Sequence, residues 1–227
     1  TFLKERGCGM SKVIGLTGQT GAGKSTVREI LSKQGAAVID ADEVAHDISD
    51  NNLDCLVQIA EKFSCLVLND QGKLNRKALA RMVFTDRRKL LALDKIIFPY
   101  IREEIQKEIA ALEAEGKDVI VIDGATLIES GCDKACWSVV SVTAEEGLRA
   151  QRVVRRDHLS KANAMSRIKS QYDDAYYIER SGFVICNNGT MRELEEKTLL
   201  FYKMILEGRK SEPKTQGKPE EPAVTEA

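Results

Sequence analysis

The chain has 227 residues, 43% of them apolar and 30% charged, with 34 basic and 35 acidic side chains and a formal net charge of −1. That length fits one α/β domain with insertions, or two small domains at most, and the balanced charge gives no global attraction to nucleic acid or an anionic membrane. No apolar run approaches the roughly 18–20 residues of a membrane span, so neither nucleic acid nor membrane is expected as a partner.

Residues 1–9 carry Lys4, Glu5 and Arg6 and no apolar stretch of the secretory kind, so they are expected to be an N-terminal extension, with Met10 as the natural start. Short apolar segments at 12–17, 36–40, 117–123, 136–142 and 182–186 read as five strands. Helical patterns separate them, which is the signature of a parallel sheet with crossover helices. Val27, Ile30 and Leu31 share one helical stripe after the first strand, and Gly35 is placed to end that helix. Residues 52–116, between the second and third strands, form a helical insertion placed to cover a substrate. Within it Ile101, Ile105, Ile109 and Leu112 mark one helical face, and Pro99 is expected to break or kink the helix of 86–97. Residues 145–171 form a second helical excursion, rich in arginine. From Gly208 onward the chain holds three of its four prolines and almost nothing apolar, so 208–227 is expected to be a disordered tail. The single folded unit is expected over 10–207.

The strongest local signal follows the first strand. Gly18-Gln19-Thr20-Gly21-Ala22-Gly23-Lys24-Ser25-Thr26 is a complete phosphate loop set between a strand and a helix. Its backbone N–H groups would cradle phosphates at a helix mouth, Lys24 would reach the β- and γ-phosphates, and the Ser25 hydroxyl would ligate Mg²⁺. The chain is therefore expected to bind a nucleoside triphosphate.

Other residues supply candidate chemistry. The second strand runs into Asp40-Ala41-Asp42, at the carboxyl end where open α/β sheets bind ligands. In extended chain both acids would face the phosphate site. One would accept a proton from an attacking hydroxyl or hold metal-bound water; the other reading is that Asp42 only caps the helix of 43–49. Asp123 closes the run Val119-Ile120-Val121-Ile122 in a Walker-B arrangement, which is also a common way for a strand to end. Arg149, Arg152 and Arg156 fall on one stripe, either as lid cations aimed at transferring charge or as a solvated basic face. His46 and His158 have no metal-ligand partner at helical spacing, and Tyr172, Tyr176 and Tyr177 read as packing. The six cysteines include no C-x-x-C; reduced thiols and a cytoplasmic location are expected.

Together these residues resemble the dephospho-coenzyme A kinase family, from about Val13 to Leu206. The phosphate loop, Val38-Ile39-Asp40-Ala41-Asp42 with Ala45-His46, Asp70-Gln71-Gly72-Lys73-Leu74-Asn75-Arg76 with Leu79 and Val83-Phe84, Arg152 with Arg156-Asp157, Leu159-Ser160, Arg167-Ile168 and Gln171, and Phe183-Val184-Ile185 with Asn187 and Gly189 are similar to that family's blocks in order. The resemblance implies a five-stranded parallel P-loop kinase with an inserted helical substrate subdomain and a lid. It implies transfer of the ATP γ-phosphate to the ribose 3′-hydroxyl of dephospho-CoA, the last step of coenzyme A synthesis, with Mg²⁺. Under it Asp42 is the general base, Lys24 and the loop amides of Gly18, Gly21, Ala22, Gly23 and Thr26 hold phosphates, Ser25 ligates the metal, Arg152 and Arg156 act from the lid, and Asn187 belongs to the nucleotide-base loop. The chain departs from the family where it has Phe98-Pro99 in place of His-Pro, and Gly124-Ala125-Thr126-Leu127-Ile128-Glu129 in place of Pro-Leu-Leu-x-Glu. Both departures fall in the acceptor half of the site. The alternatives are a P-loop kinase for another small acceptor and a non-catalytic sensor of ATP or coenzyme A; a GTPase would need an N-K-x-D motif that the chain lacks.

Overall fold

The computed structural model describes residues 11–83 and 86–209. The extension 1–9, Phe84 and the tail beyond Arg209 lie outside the described residues. Five parallel strands, β1 (Lys12–Thr17), β2 (Ala37–Asp40), β3 (Val119–Asp123), β4 (Ser138–Thr143) and β5 (Phe183–Cys186), line up in the order β2-β3-β1-β4-β5. All five fall within two residues of their expected ends.

Both faces of the sheet are buried, which is why the central strands read as unbroken apolar runs. The alternation of side chains divides those runs between two cores. Val13, Ile39, Ile120 and Ile122 pack with the helices that follow β2: α2 (Ala41–Asn51), α3 (Leu53–Phe63), α4 (Arg76–Val83) and α5 (Arg87–Ala114). Ile14, Leu16, Val119, Val121, Val140, Val142 and Ile185 pack on the opposite face with Val27 and Leu31 of α1 (Lys24–Lys33) and with Leu194, Phe201 and Ile205 of α9 (Met191–Leu206). The excursion after β4 folds as α6 (Glu146–Asp157) and α7 (Lys161–Lys169), and α8 (Asp174–Glu179) leads into β5. No described helix is long and apolar enough to cross a membrane.

The expectation of a helix break at Pro99 is corrected. Pro99 does not break the helix: α5 runs unbroken for 28 residues with Pro99 inside it. Proline removes one amide donor and crowds the preceding turn. Here it sits on the exposed side, where water can take up the carbonyl left without a donor, while Leu93 and Ile101 anchor the turns on either side in the core. Ile101, Ile105 and Ile109 are buried along one face as expected, with Leu112 partly buried beside them.

Candidate active site

The register of the sheet builds the site. Asp40 pairs with Asp123 across β2 and β3, and Leu16 pairs with Asp123 across β1 and β3. Two carboxylates are thus brought level with the mouth of the loop that leaves β1. That loop turns at Gly18 (φ 141°) and Gly21 (φ 78°) and enters α1 at Gly23 (φ 104°), backbone that side chains with a Cβ rarely adopt. A Cβ on Gly21 would lie 2.6 Å from the Arg149 carbonyl oxygen, and one on Gly23 would run into the Asn187 amide. The glycines are needed for close packing as well as for the turn.

The loop is held from outside by groups distant in sequence. Asn187, nearly buried, donates from Nδ2 to the Ala22 carbonyl at 2.7 Å. Arg152 donates to the Gly21 carbonyl at 3.2 Å, the Ala22 carbonyl at 3.4 Å and the Asn187 carbonyl at 3.0 Å. Gln171 Oε1 accepts from the Thr20 N–H at 2.8 Å, and Gln19 donates to the Tyr172 carbonyl. Asn187→Ala removes a buried bond and leaves the Ala22 carbonyl only the longer contact from Arg152; a loss of about 1 kcal/mol of stability is expected. Thermal unfolding checks this, and a melting temperature equal to that of the parent would remove Asn187 from the loop's support.

Inside the loop's mouth Lys24 pairs with Asp123 Oδ1. Asp123 is almost wholly buried, and its Oδ2 lies 3.3 Å from Arg28 Nη1. The same Arg28 nitrogen is 2.7 Å from Asp40 Oδ2. Asp40 also caps α2, its Oδ1 accepting from the N–H groups of Asp42 and Glu43 at 3.1 Å each. This corrects the strand-based reading of the two acids. The strand ends at Asp40, Asp42 stands in the first turn of α2, and the capping residue is Asp40. Asp42 is left free to enter the site. Burial raises its pKa above the ordinary aspartate value; the Lys24 charge and the Ala125 N–H oppose this, while Asp40 and Asp123 add to it. Ser25 is exposed beside Lys24, and Thr26 is half-buried.

The arginine stripe divides along α6. Arg149 is buried, donating from Nε to the Ala144 carbonyl at 2.8 Å, and so does not share the open face. Arg152 braces the loop. Arg156 is exposed and held by Asp157, with Nε to Oδ1 at 2.7 Å and Nη2 to Oδ2 at 2.8 Å; Asp157 also takes Arg167 at 2.9 Å. Equal spacing gave no warning of this, because the N-terminal end of the stripe faces the core. Tyr172 and Tyr176 stack with centroids 3.9 Å apart, and Tyr176 meets Tyr177 edge-on at 5.2 Å, in keeping with a packing role. His46 lies 3.4 Å from Asp50 on α2, and His158 ends α6 at φ 53°.

Both departures from the family pattern lie on the α5 side. Phe98 packs, half-buried, against the core of the insertion. In the segment after β3, Leu127 is fully buried, and burial pushes the Glu129 carboxyl up to about 7. Asp133 and Asp94 contribute to that rise, while a backbone hydrogen bond and Arg180 oppose it. A carboxyl with a raised folded pKa adds stability below its unfolded pKa, and that stability is lost as pH rises through the folded value. Glu129→Gln is therefore expected to match the parent near pH 4 and to exceed it at pH 8, by on the order of 1–3 kcal/mol. Denaturant melts at the two pH values test this; equal stability at pH 8 would contradict it.

A parallel sheet carrying a phosphate loop after β1, with acids level with it at the ends of β2 and β3, defines a P-loop kinase. The dephospho-CoA kinase family model matches residues 12–193. Dephospho-CoA kinases of Corynebacterium efficiens and Lactobacillus johnsonii are 38% and 32% identical, covering 80% and 83% of this chain and 90% and 95% of their own lengths. A dephospho-CoA kinase from Campylobacter jejuni superposes with a TM-score of 0.65 at 28% identity, covering 88% of this chain and 99% of its own. TT1252 from Thermus thermophilus superposes at 0.72 and 29% identity with the same coverage. The chain belongs to the dephospho-CoA kinase family.

Sequence reasoning missed Arg28. The available signal was its offset of four residues from Lys24, which places both on one face of α1. Its partners, however, are set by the register of two strands far apart in the chain.

Proposed function

We propose that this chain transfers the γ-phosphate of ATP to the ribose 3′-hydroxyl of dephospho-CoA. The observation that carries the reading is Asp42. A carboxylate freed from capping by Asp40, standing in the first turn of α2 within the field of the Lys24 charge and raised in pKa, is poised to take a proton from an attacking hydroxyl. A protein that only sensed nucleotide would have no use for such a group.

Lys24 and the loop amides of Gly18, Gly21, Ala22, Gly23 and Thr26 hold the phosphates, and Asn187 keeps the loop in shape from beside the base-binding edge. The donors at the site, Ser25 Oγ and carboxylates, are hard oxygen ligands that suit Mg²⁺ shared with substrate phosphates. Ser25 would hold the ion, which supplies charge neutralisation on the β- and γ-phosphates. The helices of 52–116 form the wall on which dephospho-CoA lies, and 145–171 acts as a lid over the triphosphate. Arg152 brings positive charge to the outer side of the loop, and Arg156 exchanges Asp157 for the transferring phosphoryl group when the lid closes.

ADP release coupled to ATP, Mg²⁺ and dephospho-CoA, with AMP, adenosine and shikimate as parallel acceptors, tests the reading. Release that depends on dephospho-CoA supports it. Turnover only with another acceptor would overturn the acceptor assignment, and ATP binding without turnover on any of them would favour the sensor.

A further inference from the structure

The four charged groups at the loop's mouth form a chain in which each acid is shared. Asp123 gives one oxygen to Lys24 and the other to Arg28, at 3.3 Å. Arg28 passes on to Asp40 at 2.7 Å, and the other oxygen of Asp40 holds the first turn of α2, where Asp42 stands. Asp123 is the most deeply buried of the four, its side chain 5% exposed against 17% for Lys24 and 32% each for Arg28 and Asp40.

A conflict follows for Lys24. It neutralises Asp123 in this state, yet a phosphate-loop lysine must reach the β- and γ-phosphates when a triphosphate binds. Moving it would strand a buried carboxylate, and an unpaired buried charge is costly. Arg28 already lies 3.3 Å from the second oxygen of that carboxylate and stands one helical turn beyond Lys24 along α1. We propose that Arg28 is a positioning residue for nucleotide binding: it takes over Asp123 when Lys24 moves to the phosphates, and through Asp40 keeps the start of α2 in place. The inference rests on the phosphate-loop reading of Lys24 given above. Lys24–Asp123 is then the resting pair, and Arg28 makes its rupture affordable.

The test is ATP affinity without Mg²⁺, by calorimetry in EDTA, for the parent, Arg28→Met, Asp123→Asn and the double variant. Methionine keeps the volume and helix preference of this half-buried α1 position, and far-UV circular dichroism confirms the fold. Arg28→Met is expected to weaken ATP binding about tenfold. The double variant should bind as Asp123→Asn does, because the acid that Arg28 must hold has lost its charge. Arg28→Lys should restore most of the affinity, since a cation is retained. Unchanged affinity in Arg28→Met, or a loss that persists in the Asp123→Asn background, would overturn the proposal and leave the phosphate loop standing. Failure of the parent itself to bind ATP would overturn the phosphate-loop reading and this inference with it.

Discussion

Asp42→Asn is expected to lower kcat about 10²-fold or more while ATP affinity stays within about twofold of the parent. The amide keeps the shape of the side chain but cannot take a proton. The backbone at this position is unaffected, because the cap of α2 is made by Asp40 and not by Asp42. The pH profile gives a second readout. Burial raises the Asp42 pKa, so the active carboxylate is lost on acidification at a higher pH than an ordinary aspartate of about 4 would allow. The parent's kcat should therefore fall on the acid side along a limb that Asp42→Asn lacks. Steady-state kinetics at several pH values decides the matter. An unchanged kcat would leave Asp42 a positioning role alone, since Asp40 is committed to Arg28 and to the cap.

Lys24→Ala should damage both binding and turnover, on the order of 10²-fold in each, because under the proposed function the residue would meet the phosphates in the ground state and more strongly as charge shifts in transfer. Its folded-state cost should be smaller. Asp123 loses one cation but keeps Arg28 at 3.3 Å. Nucleotide titration and turnover on the same preparation separate the two effects. Parent-like turnover in this variant would contradict the assignment of the loop itself. A variant that binds ATP normally but turns over slowly would confine Lys24 to the transition state and remove it from nucleotide binding.

What the sequence disclosed follows from which interactions are local. The strands were visible because burial on both faces leaves continuous apolar runs such as Val119–Ile122. The phosphate loop was visible because its chemistry lies in consecutive residues. Pro99 misled, because the rule for proline concerns one turn of helix, whereas α5 is held on both sides by its core contacts. Asp42 stands on a helix and not on the extended chain expected of it: the Lys24 charge acts on it there, and only the cap made by Asp40 reveals this placement. Arg149 and Arg156 share a stripe by spacing but not by environment, one buried and one exposed. Arg28 was out of reach, since its meaning comes from the pairing of Asp40 with Asp123 across strands separated by the whole helical insertion.

The most direct test follows the phosphoryl group itself. ATP labelled in its γ-phosphate is incubated with the protein, Mg²⁺ and dephospho-CoA, and the products are separated, with the 3′-deoxy form of the acceptor run alongside. The label should appear in coenzyme A in step with ADP formation, and the 3′-deoxy acceptor should receive none. Label released as inorganic phosphate, or carried equally by the acceptor that lacks the 3′-hydroxyl, would contradict the account.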